Sequence, residues 1–256
     1  MDASLNPVAY ADLPLARTGY GLGTAIWAGS TRHQVEDDWW IALSQTAFVD
    51  YNLALIHGER GAEVAPAVLD EVLRAEVPSL IMLAGAGLAA ADPLREAGWV
   101  CIGARPFMGK DHGPAEDDPH VRRLERHELA EARRLTSTAF GVPDEVGAIV
   151  FAEDALERED CRLWGLFEDG TMLCCLADRY VDGRFCVCWA LATAPQNQRA
   201  GYGRRLLRAS AAHWLAEGIP VALLMATDAG KHLYEQEGYV TLEHWQIWSR
   251  PRWVLR

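Results

Sequence analysis

Trp189-Ala190-Leu191-Ala192-Thr193-Ala194-Pro195-Gln196-Asn197-Gln198-Arg199-Ala200-Gly201-Tyr202-Gly203-Arg204-Arg205-Leu206-Leu207 is the stretch on which the reading of this chain turns. An apolar run ends at Thr193, a short turn follows, then a glycine-bearing loop, then a run with helical spacing. Gly201 and Gly203 let the backbone turn tightly and lie close to a ligand. The free N–H groups at the start of the following helix point into that loop, and the helix dipole favours negative charge there. Pyrophosphate suits this geometry. Arg199, Arg204, Arg205 and Arg208 are expected to add positive charge to it. Gln-x-x-Gly-x-Gly is a weak pattern alone; its place between a strand and a helix gives it weight. Gly19-Tyr20-Gly21-Leu22-Gly23, by contrast, follows no clear strand and lacks dinucleotide-fingerprint spacing.

Working outward, Cys161 to Phe167, Thr171 to Tyr180 and Phe185 to Thr193 read as strands. Glu168-Asp169-Gly170 and Asp182-Gly183 join them as hairpin turns, so the three form an antiparallel meander. Before them, Leu129 to Phe140 has helical periodicity, and Ile149 to Leu156 reads as a second short helix. After the loop, Gly203 to Glu217 reads as a helix with Leu207, Ala211, Trp214 and Leu215 on one face. Gly218 stops it. Pro220 to Ala226 is a buried strand and Ala229 to Glu237 a short helix ended by Gly238. Tyr239 to Leu242 and His244 to Ser249 read as two last strands.

The stretch Asp111 to His120 is rich in Pro, Gly and acid and divides the chain near its middle. The expected domains are 1–113 and 114–256. The first half offers a strand at Asp50 to Ile56, a helix at Ala65 to Ala75 and a strand at Leu80 to Leu83. Its end, Glu96-Ala97-Gly98-Trp99-Val100, parallels Gln236-Glu237-Gly238-Tyr239-Val240, and the two glycines lie 238 − 98 = 140 residues apart. This spacing suggests an internal duplication.

The loop carries a resemblance to the GNAT superfamily of acyl-CoA N-acyltransferases. The family's Gln/Arg-x-x-Gly-x-Gly/Ala is matched by Gln198, Gly201 and Gly203, and Pro195 stands where the family has a proline. Leu233-Tyr234-Glu235-Gln236-Glu237-Gly238-Tyr239 matches the family's Leu-Tyr-x-x-x-Gly-aromatic segment. The resemblance covers about residues 121 to 250. It implies an α/β (α+β) fold: a mixed, mostly antiparallel central sheet with helices on both faces, here in two tandem copies. The first copy looks degenerate. It has Gly58-Glu59-Arg60-Gly61-Ala62-Glu63 where the phosphate loop belongs, with two acids that would repel pyrophosphate.

The resemblance further implies direct transfer of an acetyl group from acetyl-CoA, the cosubstrate, to a primary amine of a small molecule, without a metal. The other readings are a protein lysine or N-terminal acetyltransferase, or a non-catalytic acetyl-CoA sensor or scaffold. By position, Leu191 and Thr193 offer backbone groups to the pantetheine arm, and Gln198, Arg199, Ala200, Gly201, Tyr202, Gly203 and Arg204 hold the pyrophosphate. A backbone N–H near Leu191 faces the thioester oxygen. Tyr234 is the candidate general acid, because a phenol near pKa ~10 stays protonated at neutral pH. The base is not identified; Glu168, Asp169, Asp178, His213 and His232 are the candidates for it. Trp245 and Trp248 lie in the core or line an aromatic acceptor pocket.

The bulk numbers agree. With 256 residues, one large or two small domains are both open. Lys plus Arg is 24 and Asp plus Glu 36, so the net charge is −12 and a bulk electrostatic grip on nucleic acid or an anionic membrane is excluded. Half the residues are hydrophobic, which excludes wholesale disorder. Met1 to Pro7 has no signal-peptide pattern and no apolar run is long enough to span a membrane, so a cytoplasmic monomer or homodimer is expected. Cys101, Cys161, Cys174, Cys175, Cys186 and Cys188 form no CxxC pair and are expected as reduced core thiols. A metal site from Cys186, Cys188 and a neighbour is the alternative.

Overall fold

A computed structural model describes residues 12–27 and 32–254; the chain start read above lies outside them. The elements are α1 (Leu13–Trp27), β1 (Arg32–Val35), β2 (Trp39–Leu43), β3 (Asn52–Ile56), α2 (Gly61–Arg74), β4 (Leu80–Leu83), α3 (Ala91–Glu96), β5 (Val100–Lys110) and β6 (Val121–Arg123). They continue with α4 (Leu129–Phe140), α5 (Asp144–Val150), β7 (Cys161–Glu168), β8 (Thr171–Val181), β9 (Phe185–Thr193), α6 (Tyr202–Ala216), β10 (Val221–Met225), α7 (Asp228–Gln236), β11 (Val240–Ser249) and α8 (Pro251–Val254). No helix among the described residues is long and apolar enough to cross a membrane.

The chain forms two compact units that interleave along the sequence. The early unit takes Asp12–Met108, Met225–Lys231 and the segment from Thr241 onward; the late unit takes Gly109–Leu224 and His232–Val240. These units differ from a single cut between residues 113 and 114, because the final strand goes to the early unit. There β11 pairs antiparallel with β4, placing Gln246, Ile247 and Trp248 opposite Leu83, Met82 and Ile81.

In the early unit the strand order is β1-β2-β3-β4-β11-β5. β3 and β4 run parallel, while β1/β2, β2/β3 and β4/β11 are antiparallel. Side chains alternate across β2. Trp39 and Ile41 join the core formed with Val68 and Val72 of α2. Trp40 faces the other way, where its indole N–H donates to the Arg17 carbonyl of α1 at 3.0 Å. Helices thus cover both faces. Gly21 of α1 packs on the Trp40 ring, and a methyl there would come within 2.7 Å of it. The described residues before Ser44 form this helix and the β1/β2 hairpin.

In the late unit the order is β10-β9-β8-β7-β6, with only β9/β10 parallel. The meander forms as expected, and both hairpin turns place an aspartate at positive φ, Asp169 at 48° and Asp182 at 52°, each followed by glycine. Asp178 of β8 lies fully buried on one face, while on the other the Cys175 thiol meets the Thr136 hydroxyl of α4 at 3.4 Å. α6 buries Leu206, Leu207, Ser210, Ala211 and Trp214, but Leu215 is exposed, contrary to the expected face. The two expected last strands are one, β11, because nothing at Glu243 breaks the extended backbone. Cys101 is exposed, so the expectation of core burial holds for the other five thiols only.

Two stretches of the chain repeat one order of elements: strand, helix, parallel strand, short helix, Gly-aromatic step, long strand. β3, α2, β4, α3, Gly98-Trp99 and β5 correspond to β9, α6, β10, α7, Gly238-Tyr239 and β11.

The exchanged strand is fixed by charge as well as by pairing. The Arg17 guanidinium donates to both carboxylate oxygens of Glu243, with Nε at 2.8 Å, and the Trp245 indole donates to the same carboxylate at 3.0 Å. The two side chains are only 10% and 15% exposed. Removing one partner of such a pair leaves a buried charge without compensation. Glu243→Ala is therefore expected to lower stability by roughly 3 kcal/mol in urea denaturation, and a loss below about 1 kcal/mol would remove this pair from the account of how β11 is held.

Candidate active site

The late unit's parallel pair is short. Phe185, Cys186 and Val187 stand opposite Val221, Ala222 and Leu223, and β9 then runs on to Thr193 without β10. On its other side β9 stays paired with β8 but carries a bulge. Cys175 faces Ala192 and Ala177 faces Trp189, so Leu176 alone opposes Ala190 and Leu191. Ala190 takes the left-handed conformation, φ 53°. A bulge bends its strand and takes one residue out of the ladder. Two effects thus act on the same residues: β9 leaves β10 and its own ladder is interrupted, freeing backbone groups around Leu191. Trp189, Ala190, Leu191 and Thr193 are half-buried there.

At the end of β9, Pro195–Asn197 makes a single tight helical turn. The Gln198 amide donates back to the Thr193 carbonyl at 3.4 Å, tying the loop to the strand. Arg199 follows at φ 64°, Ala200 is exposed, and Gly201 at φ 89° begins α6. A non-glycine residue at positive φ is uncommon and concentrates at functional sites. With Asp169 and Asp182 explained by their hairpins, Ala190 and Arg199 mark this corner. α6 has no side-chain cap and no acid in its first turn, so its leading N–H groups face the loop unopposed. Gly203 is needed for room: a methyl there would lie 3.3 Å from Leu233, 3.6 Å from the Thr193 hydroxyl and 3.8 Å from Leu191. The loop, β9 and the turn of α7 that carries Tyr234 therefore meet at one glycine.

The expected positive charge is largely cancelled. Arg205 donates to Asp118 at 2.7 Å and to Glu168 at 2.6 Å, and Glu168 also accepts the Tyr202 hydroxyl at 3.1 Å. Arg204 and Arg208 both donate to Glu237, at 2.9 and 2.8 Å. Arg199 takes part in no ion pair among the described residues. Of the four arginines, three are held by carboxylates, so the expected cradle of free guanidinium groups is not formed. Asp118 and Glu237, absent from the sequence-based site, are the residues responsible. Asp118 lies 87 residues from Arg205 and Glu237 29 residues from Arg208, beyond any local pattern.

Tyr234 is half-buried and packs edge-on against Tyr239, ring centroids 5.5 Å apart. Burial, with the Cys188 and Cys174 thiols nearby, pushes its phenol well above the usual tyrosine range. The candidate bases are otherwise engaged. Glu168 is ion-paired, Asp169 is a hairpin residue, and His213 is exposed against Trp164. His232 is exposed within 2.9 Å of the Gln236 amide. Asp178 is fully buried in mid-strand, its carboxylate accepting the Trp164 indole N–H at 3.0 Å. In the early unit, Trp245 stacks on Phe107 at 4.3 Å and Trp248 is 4% exposed, so both are core residues and no acceptor pocket is built from them.

Among the described residues one group has metal-ligand chemistry. Asp178, Cys186 and Cys188 bring a carboxylate oxygen and two thiols within 4.8 Å of one another. Burial favours the neutral forms of all three, pushing the Asp178 carboxyl up to about 6 and raising both thiols. The thiols lie 3.9 Å apart, and Cys188 meets the Tyr239 hydroxyl at 3.6 Å.

The corresponding corner of the early unit is closed. β3 and β4 stay paired from Leu53/Leu80 to Ile56/Leu83, and the Ala84 N–H continues the ladder to the Ile56 carbonyl at 3.1 Å. Gly87 packs directly on that carbonyl; a methyl there would come within 2.1 Å of it. The loop after β3 instead orders a buried polar knot. The Arg60 guanidinium donates to Asp38 at 2.8 Å, and His57 is buried and pushed down to about 4 by its loss of solvent and by Arg17.

Comparison with known proteins agrees with this geometry. The family model described as "Acetyltransferase (GNAT) domain" matches residues 120–242. A GCN5-related N-acetyltransferase from Kribbella flavida is similar in structure, with TM-score 0.66, 19% identity and 96% of each chain covered. Another from Sphaerobacter thermophilus gives TM-score 0.59 at 12% identity, covering 83% of this chain and 76% of that one. A putative GNAT-family acetyltransferase from Novosphingobium aromaticivorans gives 0.56 at 16%, covering 90% and 98%. None of the curated proteins compared with the chain matches it significantly. Residues 120–242 thus match an acetyltransferase (GNAT) domain, and the fold is that of the GNAT structures.

Asp178 provides a pH test of this core. Its carboxyl titrates near pH 6 in the fold and near ~3.9 in an unfolded chain, so ionisation is penalised in the folded state. The penalty is absent below pH ~3.9, grows to pH ~6 and is constant above, reaching about 3 kcal/mol. Asp178→Asn is expected to gain stability over the wild type by that amount between pH 4 and pH 8, read from urea denaturation at both. A pH-independent difference would show that Asp178 does not titrate in the fold.

Proposed function

We propose that the chain is an acetyl-CoA-dependent N-acetyltransferase that transfers the acetyl group directly to a primary amine of a small molecule. The observation carrying this reading is the parting of β9 from β10 beside the uncapped start of α6. A thioester whose arm is a chain of amides, ending in a pyrophosphate, offers partners to both. On this reading the arm bonds the freed backbone at Leu191 and Thr193, and the pyrophosphate takes the N–H groups from Arg199 to Arg204.

The amine nitrogen attacks the thioester carbon, the C–S bond breaks, and the sulfur leaves as a thiolate. The carbonyl oxygen, gaining charge, takes a backbone N–H freed by the bulge near Leu191. Tyr234 meets the thiolate. A phenol at or above ~10 is a weaker acid than a thiol near ~8.5, so full proton transfer would be uphill by about 2 kcal/mol or more. Tyr234 therefore acts as a fixed hydrogen-bond donor to the developing charge. The amine's proton passes to solvent, since the carboxylates nearest the loop are held in ion pairs. The early unit is a copy whose cofactor cleft is closed by the unbroken β3/β4 ladder.

Titration of acetyl-CoA by calorimetry is expected to give one site per chain. Gly203→Val should abolish it without loss of fold; binding at two sites, or normal binding by the valine variant, would overturn the assignment. Tyr234→Phe should lower turnover by roughly 10- to 100-fold with little change in acetyl-CoA affinity. Because burial raises the phenol's pKa, the wild-type rate should show no falling alkaline limb below pH ~10. A limb in the range of a free thiol would move the donor role to another group.

A further inference from the structure

We infer that Glu237 is a positioning residue of this site: its buried carboxylate fixes the distance between the phosphate loop and Tyr234. The inference rests on the acetyl-CoA reading above. Glu237 is fully buried, and its carboxylate binds two arginines of α6 with the buried Lys110 nearby. One carboxylate oxygen accepts the Arg204 guanidinium at 2.9 Å, and the other accepts Arg208 Nε at 2.8 Å. Arg204 lies in the first turn of α6 and Arg208 one turn later, so the carboxylate grips the end of the helix that faces the loop. Its backbone serves α7. The Glu237 N–H donates to the carbonyls of Leu233 at 3.1 Å and Tyr234 at 3.0 Å, and the Tyr239 N–H donates to the Tyr234 carbonyl at 3.0 Å. Gly238, at φ 88°, makes that closing turn possible.

One residue thus bonds the turn bearing the thiolate partner through its main chain and the phosphate helix through its side chain. The arrangement is braced from behind. Gly238 packs against the His112 carbonyl and Gly113, and the buried Lys110 ammonium donates to the Pro114 carbonyl at 2.7 Å. Acetyl-CoA must touch both ends of this span at once, whereas its nucleotide half touches only the loop. A change that loosens the span penalises the whole cofactor and spares the fragment.

The test compares acetyl-CoA with phosphoadenosine diphosphate, the nucleotide half, by calorimetry on the full chain. Glu237→Gln keeps the size and removes the charge. It is expected to weaken acetyl-CoA binding about tenfold and to leave the nucleotide fragment unchanged or tighter, since Arg204 loses its ion pair. Glu237→Asp, which keeps the charge but shortens the reach, should show the same selective loss to a smaller degree, and it serves if the glutamine variant does not fold. Equal changes for both ligands, or none for either, would reduce Glu237 to a structural strut and overturn the inference. A wild type that binds neither ligand would instead overturn the acetyl-CoA reading itself.

Discussion

A β-strand that leaves its neighbour must find other partners for its backbone, because an unpaired buried N–H or C=O costs about as much as a lost hydrogen bond. β9 does this from Cys188 onward, where its parallel ladder with β10 ends. The bulge at Ala190–Leu191 adds a second break on the opposite edge of the same strand. The cost is tolerated only where something else can bond the exposed groups. That requirement organises the late unit: an open corner, a loop at its end, and a helix start turned toward it.

The early unit is the control. It has the same succession of strand, helix, parallel strand and Gly-aromatic step, yet its parallel ladder runs to the last residue and Gly87 sits on the Ile56 carbonyl. Its loop holds Asp38, Arg60 and a neutralised His57, where the late unit has an uncapped helix start. The two units therefore differ less in fold than in whether one pair of strands stays together. Nothing in the apolar composition of Leu53–Ile56 or Val187–Thr193 announces that difference, since both runs satisfy the same strand pattern.

This explains which parts were legible in the sequence. The Asp-Gly hairpins, the helix after the loop and the Leu-Tyr-x-x-x-Gly-Tyr turn each rest on residues close together in the chain, and glycine or aspartate at positive φ announces itself. The bulge does not, because Ala190 adopts the left-handed conformation without being a residue that prefers it. α1 was hidden by Gly19, Gly21 and Gly23, which weaken helical propensity; Gly21 is there because the Trp40 ring leaves no room for a side chain. The exchange of β11 into the early unit was illegible for another reason. Its alternation specifies a strand but not the strand it joins, and the Arg17–Glu243 pair that fixes the choice spans 226 residues.

Electrostatics carried the largest revision, and it bears on how the site discriminates. Three arginines on α6 suggested a cationic cradle, but Asp118, Glu168 and Glu237 answer them. A cradle of free guanidinium groups would hold any polyanion, with an affinity that falls steeply with salt. Backbone N–H groups at a helix start are fixed in direction and cannot follow a ligand of the wrong shape. Neutralising the arginines against carboxylates therefore trades raw attraction for geometry. It also makes the arginines ties between α6 and its surroundings, so that these side chains hold the start of the helix in place.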